Sequence, residues 1–161
     1  AFSYSQGMKK SMYAFKYNNR REYAKYYASV IAKEFKDVIF SWNCEVLVPV
    51  PLHRSKLIKR GYNQAEILAK RLSEQLLIPM DNKILIRTRN TAPLKELNEK
   101  ERITNLKSAF QTDEIKLKYK RIILVDDIYT TGSTIDECAW TLLRNGAEEV
   151  YFITACIGRG F

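Results

Sequence analysis

The chain has 161 residues, 46% hydrophobic and 12% aromatic, enough for one domain with a packed core and too apolar for a disordered chain. Its 27 Lys and Arg against 18 Asp and Glu leave a net charge of +9, which reads either as affinity for polyanions such as nucleic acid or nucleotides, or as a basic solvated surface. The longest apolar runs, RIILV and VYFITACI, are far shorter than the roughly 18 to 20 residues that cross a bilayer, and no signal peptide opens the chain, so a cytoplasmic protein without membrane insertion is expected.

In chain order, Met8, Met12 and Phe15 and then Tyr23, Tyr27, Val30, Ile31 and Phe35 follow helical spacing. They predict two helices broken near Asn18 and Asn19, with the aromatics in the core. Glu45 to Val50 (EVLVPV) predicts a strand that must stop at PVPLH, because each proline removes a backbone donor. Ala65, Leu68, Ala69, Leu72 and Leu76 predict a helix that ends before Pro79, and KILIR (83–87) a second strand. From Arg87 to Asn105 the chain is polar and mixed in charge, which predicts a projecting loop and a short helix. RIILV (121–125) is a third strand. Ile135, Cys138, Ala139, Leu142 and Leu143 then mark an amphipathic helix that ends at Asn145-Gly146, and EVYFITACI (149–157) is a fourth strand. Strands alternating with helices predict an α/β domain with a mainly parallel sheet, whose ligands gather at the C-terminal strand ends. Cys44, Cys138 and Cys156 form no C-x-x-C pair, so they read as small buried apolar residues, not as a disulfide framework or zinc site. The chain starts at Ala1 without methionine, and a segment upstream is expected to be missing.

RIILVDDIYTTGST sets Asp126 and Asp127 after an apolar run and follows them with four hydroxyls in the five residues Thr130 to Thr134. Adjacent carboxylates repel, so they require a cation or hydroxyl donors. Thr130, Thr131, Gly132, Ser133 and Thr134 form a curled loop before a helix N-terminus, which attracts an anion. Acids for vicinal ribose hydroxyls beside a phosphate cradle describe a ribose 5-phosphate site. The P-loop pattern G-x-x-x-x-G-K-[ST] does not occur, which weakens an NTPase reading.

IILVDDIYTTGST resembles the phosphoribosyl pyrophosphate (PRPP) signature of type I phosphoribosyltransferases. The resemblance implies that Asp126 and Asp127 face the ribose, that Thr130 to Thr134 hold the 5-phosphate, and that Mg²⁺ accompanies PRPP. It implies an α/β, type I phosphoribosyltransferase-like fold: one domain over 1–161, a mainly parallel twisted sheet flanked by helices, and a small hood from about 1–20 and 87–110. VPVPLHRSKLIKRGYNQA, RTRNTAPLKELNEKERITNLKSAF and the opening AFSYSQGMKKSMYAFKYNN resemble the ComF (ComFC) competence family across nearly the whole chain. That family carries an N-terminal four-cysteine zinc module, so zinc is expected only in a module this chain lacks. Many members have glutamine where this chain has Leu94.

The resemblance also places Leu52, His53 and Arg54 in a pyrophosphate loop, with Lys56, Lys59 and Arg60 close behind. His53 is equally a structural or a catalytic residue by this reading. Arg87 and Arg89 open the hood and either close over ligand or form a solvated basic turn. Thr130 stands where the hypoxanthine-guanine enzymes carry a base-assisting acid, so 6-oxopurines are not expected as substrates, and no catalytic residue is assigned. Competence membership implies a PRPP-binding protein that handles single-stranded DNA beside a helicase and other DNA-uptake proteins. The alternative is an active phosphoribosyltransferase that moves ribose 5-phosphate to an unidentified acceptor. For DNA the candidates are Lys116, Lys118, Tyr119, Lys120 and Arg121, either a stacking platform among cations or a solvated strand edge.

Overall fold

The computed structural model describes residues 2–3, 5–88, 109–112 and 117–158. Four parallel strands form the main sheet in the order β1 (Phe2–Ser3), β6 (Glu149–Ile157), β5 (Arg121–Tyr129), β2 (Val46–Pro49). Helices α1 (Gln6–Tyr17), α2 (Tyr23–Ser41) and α4 (Gln64–Leu76) cover one face, and α5 (Ser133–Arg144) covers the other. Sheet ligands of this architecture collect where strands end and chains diverge.

Period-two alternation explains the two cores. Ile123 and Val125 point into the cluster with Phe15, Tyr27, Leu68 and Leu72, whereas Ile122 and Leu124 point into the one with Val48, Ile135 and Leu142. Both faces of β5 are dry, so its central run is uninterrupted apolar, and burying each such side chain contributes about 1.5–3 kcal/mol.

The predicted break between the first two helices is a left-handed Asn19 (φ 55°) after the Asn18 cap, where asparagine tolerates that geometry. Gly146 (φ 111°) follows α5 as expected. Phe35, expected in the core, is 42% exposed and lines an apolar groove of about 170 Å³ with Val38, Trp42, Phe152 and Ile157. Phe35 lies on the same i+4 line of α2 as the buried Tyr27, Ile31 and Ile39, so helical period does not set it apart; it is exposed because it borders this groove. Beside this groove Trp42 lies face to face on Tyr151, with ring centroids 4.8 Å apart and 10° between planes. The other tryptophan, Trp140, is 57% exposed on α5, with the Arg144 guanidinium 5.9 Å from its ring. Cys138 and Cys156 are buried and Cys44 is half-buried, all three as free thiols.

KILIR does not enter the parallel sheet. Next to β2 the chain makes only a single-residue bridge, Leu47 to Met80, and then turns away through Asn82. Leu85–Arg87 (β3) instead pairs antiparallel with Phe110–Thr112 (β4), which brings together the two ends of residues 88–109. The fourth strand of the main sheet is Phe2–Ser3, too short to carry any periodicity. The expected loop and short helix of the hood fall largely in 89–108, outside the described residues.

Candidate functional site

β2 pairs with β5 only as far as Pro49 opposite Val125, with one further bond from Val50 N–H to the Val125 carbonyl at 2.9 Å. Pro49 and Pro51 then direct the chain away. β5 itself runs on to Tyr129 beside β6, so Asp126 and Asp127 lie within the strand and not, as expected, just beyond its end. On the side that β2 has left, they face an open crevice. This cavity, of about 160 Å³, is lined by both acids together with Lys16, Lys56, Arg60 and Arg87.

Lys16, from the last turn of α1, places Nζ 3.0 Å from Asp127 Oδ1. Burial opposes its charge, but the Asp127 carboxylate outweighs that and holds the ammonium pKa above the ordinary lysine value. Lys56 has the opposite balance: burial and then Arg87, Arg60 and Lys16 push its pKa down. An anion in the crevice would relieve that repulsion. Asp126 is pushed up to about 7, first by burial and then by the adjacent Asp127. Its Oδ1 accepts from the Asp127 N–H at 2.8 Å, which only partly offsets both effects.

The hydroxyl loop adjoins this crevice. Asp126 and Thr134 line both the cation-bearing cavity and a small cleft of about 30 Å³ bounded by Thr130, Thr131, Gly132 and Ser133. Thr131 Oγ1 and Ser133 Oγ are 3.0 Å apart, and the Tyr129 carbonyl accepts from Gly158 N–H at 2.7 Å, which fixes the base of the turn. Gly132 sits at φ 81°, a backbone conformation that favours glycine, and a Cβ there would fall 2.6 Å from the Tyr129 hydroxyl and push that ring aside. From Gly132 the chain enters α5, whose first N–H groups and dipole favour a phosphate at this point. The expected ribose and phosphate residues therefore share one crevice.

The expected pyrophosphate residues divide. Leu52 lines the crevice. His53 instead caps the seven-residue helix α3 (Arg54–Arg60), its Nδ1 accepting from Ser55 N–H at 3.2 Å. Arg54 lines an adjoining groove with Leu57 and Leu85, which shares Pro51, Leu52, Asn63 and Arg87 with the crevice. Because LHRSKLIKRG coils into a helix instead of an extended loop, spacing of four brings Lys56 and Arg60 to the crevice and turns Arg54 aside. Arg87 lines the crevice from β3, where burial lowers its pKa; Arg89 and Leu94 lie outside the described residues.

Sequence reasoning missed three contributors. Lys16 had no signal beyond its charge. Asn63 and Gln64, polar at the start of an apolar-periodic helix, were readable as such: Asn63 caps α4 and donates to the Val50 carbonyl at 3.0 Å, and Gln64 accepts from Arg60 Nη1 at 3.0 Å.

The DNA candidates sit at the other end of β5. Lys120 Nζ lies 3.2 Å from Glu148, Arg121 Nε 4.0 Å from Glu149, and Lys118 Nζ 3.7 Å from Asp81. Tyr119 is half-buried against the α5-side core. Of the two readings of this stretch, the described cations fit the solvated strand edge, paired with acids distant in sequence, and Lys116 lies outside the described residues. Among the described residues no helix is long and apolar enough to cross a membrane.

The Phosphoribosyl transferase domain model matches residues 57–160. Competence protein F of Haemophilus influenzae is 42% identical over 108 residues, which cover 66% of this chain and 47% of that protein. DNA utilization protein YhgH of Escherichia coli K12 is 40% identical over 110 residues, 68% of this chain and 48% of that protein. Competence protein ComFC of Bacillus subtilis is 32% identical over 149 residues, 90% of this chain and 57% of that protein. The chain spans about half the length of these relatives. The family match runs from α3 through β5, the hydroxyl loop and α5, well over half of the sequence, and the chain belongs to the phosphoribosyl transferase domain family as a homologue of the ComF competence proteins.

Proposed function

We propose that the crevice binds PRPP, and that this binding serves the handling of single-stranded DNA in natural transformation. One observation carries the first part: the acid pair, the hydroxyl loop and the cations Lys56, Arg60 and Arg87 converge on adjoining cavities that share Asp126 and Thr134. Ribose hydroxyls would donate to the acids, the 5-phosphate would take the loop and α5 N-terminus, and pyrophosphate would face the cations. Each charge-assisted hydrogen bond there contributes about 1.5–3 kcal/mol. Among the described residues no cluster of three or more His, Cys, Asp or Glu is placed to hold a metal ion. Two carboxylates suit Mg²⁺ carried in on ligand oxygens, since that ion binds through one or two carboxylates plus phosphates. Bound there, Mg²⁺ would neutralise charge on departing pyrophosphate.

The second part rests on the words competence and DNA utilization in the names of relatives, and on the net charge of +9. A helicase and other DNA-uptake proteins are the partners this reading implies. Catalytic transfer to an unidentified acceptor is the second reading, favoured by the completeness of the ribose phosphate site. Thr130, where a base-assisting acid would stand, argues against hypoxanthine and guanine as acceptors.

The test is thermal melting with PRPP and Mg²⁺. Ligand at about 100 times its dissociation constant stabilises by about 2.7 kcal/mol, and Asp126→Asn with Asp127→Asn should remove most of that rise. An unchanged melting curve at saturating PRPP would sink the reading. Pyrophosphate release with a panel of bases separates binding from turnover.

A further inference from the structure

The positive charge of the chain is concentrated. Residues 5–21 and 51–65 carry nine of the 27 cations and no acid, so they hold the entire +9 excess, and the rest of the chain balances at 18 of each sign. The fold brings these two segments together beside the crevice. Arg60 Nη2 donates to the Tyr17 hydroxyl at 3.2 Å with its guanidinium 5.0 Å from that ring, Gln64 Nε2 donates to the Lys16 carbonyl at 3.4 Å, and the Tyr62 hydroxyl donates to the Phe15 carbonyl.

Helix α1 adds aromatic rings to this basic corner. Met12 and Phe15 anchor it in the core, whereas Tyr13 and Tyr17, one turn apart, face outward at 60% and 55% exposure with centroids 4.9 Å apart. Lys16, between them in sequence, reaches Asp127 inside the crevice. Two exposed rings in mutual contact, one of them bonded to a crevice arginine, are not explained by core packing.

We infer that Tyr13, Tyr17 and Arg60 form a stacking platform for the bases of a single-stranded polynucleotide at the mouth of the crevice. This deepens the DNA half of the proposed function and shares only Arg60 with the PRPP half. Unpaired bases offer π faces to the tyrosines, the guanidinium adds a cation–π partner, and the surrounding Lys and Arg draw the phosphates. A duplex, with its bases stacked internally, can use only the charge. The platform therefore replaces the stretch from Lys116 to Arg121, whose described cations are matched by acids.

The experiment is fluorescence anisotropy with labelled oligo(dT), oligo(rU) and a duplex, and PRPP-induced stabilisation measured in parallel. Tyr13→Ala with Tyr17→Ala should weaken single-strand binding about ten-fold or more per ring. Tyr13→Phe with Tyr17→Phe should keep most of it, and Lys120→Ala with Arg121→Ala should change it little. Neither tyrosine lines the crevice, and Arg60 keeps its bond to Gln64 when Tyr17 is truncated, so the alanine pair should leave most of the PRPP stabilisation. Preference between oligo(dT) and oligo(rU) assigns DNA or RNA, and either supports the platform. The inference is overturned if no strand binds at low salt, if the alanine pair binds like wild type, if the phenylalanine pair loses binding as the alanine pair does, or if duplex binds as well as single strand. Any of these alongside intact PRPP stabilisation rejects the platform alone; loss of PRPP stabilisation in wild type rejects the nucleotide pocket alone.

Discussion

At its first residues β5 holds Arg121, with Lys120 just before it, 4.0 and 3.2 Å from Glu149 and Glu148, and the Lys120 and Arg121 N–H groups both donate to Glu45 Oε2. Toward its other end the same strand presents Asp126 and Asp127 to Lys16, Lys56, Arg60 and Arg87. At the first end cations are answered by nearby acids. At the second, cations outnumber acids in one cavity and lower the pKa of one of their own, Lys56. Two clusters that look alike as strings of charged letters are thus opposite in kind: one is satisfied, and the other has a deficit that an anion would fill.

The strongest way to break this contrast is to remove the deficit. Lys56→Ala with Arg60→Ala should weaken PRPP binding roughly 100-fold or more, because two charge-assisted contacts of about 1.5–3 kcal/mol each are lost. Thermal shift titrated against PRPP concentration measures it, and a tenfold effect or less would place the anion elsewhere.

A smaller effect sharpens the acidic side. Burial and Asp127 raise the Asp126 pKa to about 7, above its unfolded value of about 4. The folded state then binds the proton more tightly, so stability is greatest below about pH 4, falls as pH rises, and levels off above about 7. Asp126→Asn keeps an oxygen to accept from the Asp127 N–H and removes this slope. Without ligand it should melt a few degrees above wild type at about pH 8, and the gap should close toward pH 4. An equal gap at both pH values would mean that Asp126 is not strained by its charge.

The smallest effect belongs to the satisfied end. Lys120→Ala with Arg121→Ala should cost under about 1 kcal/mol in stability, because exposed pairs are solvent-screened and the Glu45 bonds to backbone N–H survive. PRPP stabilisation should not change. Urea midpoints read the first and thermal shift the second; a large loss in either would show that the two ends communicate through β5.

How much of this was legible depended on range. Periodicity located α1, α2, α4 and α5, and the uninterrupted IILV run located the buried strand, since these patterns are set by neighbours within a few residues. The acid pair and hydroxyl loop were legible for the same reason: both belong to one strand–turn–helix. Phe2–Ser3 was not, because two residues have no period, and neither was the pairing of Leu85–Arg87 with Phe110–Thr112, more than 20 residues apart. That α3 coils a segment expected to be loop was not legible either, and it is this coil that brings Lys56 and Arg60 to the crevice beside Leu52. Lys16 reaches Asp127 across 111 positions, and Glu45, Glu148 and Glu149 converge on Lys120 and Arg121 from two directions. Charge pairing of that range leaves no local trace.

The tryptophan positions decide what light can report from this molecule. Trp42, half-buried and stacked on Tyr151 where α2 meets β6, should shift its emission to the red when that seam opens. Trp140, already more than half exposed, should change its emission less on unfolding. Neither borders the crevice, so intrinsic fluorescence is a gauge of the α2–β6 seam and is blind to ligand in the pocket.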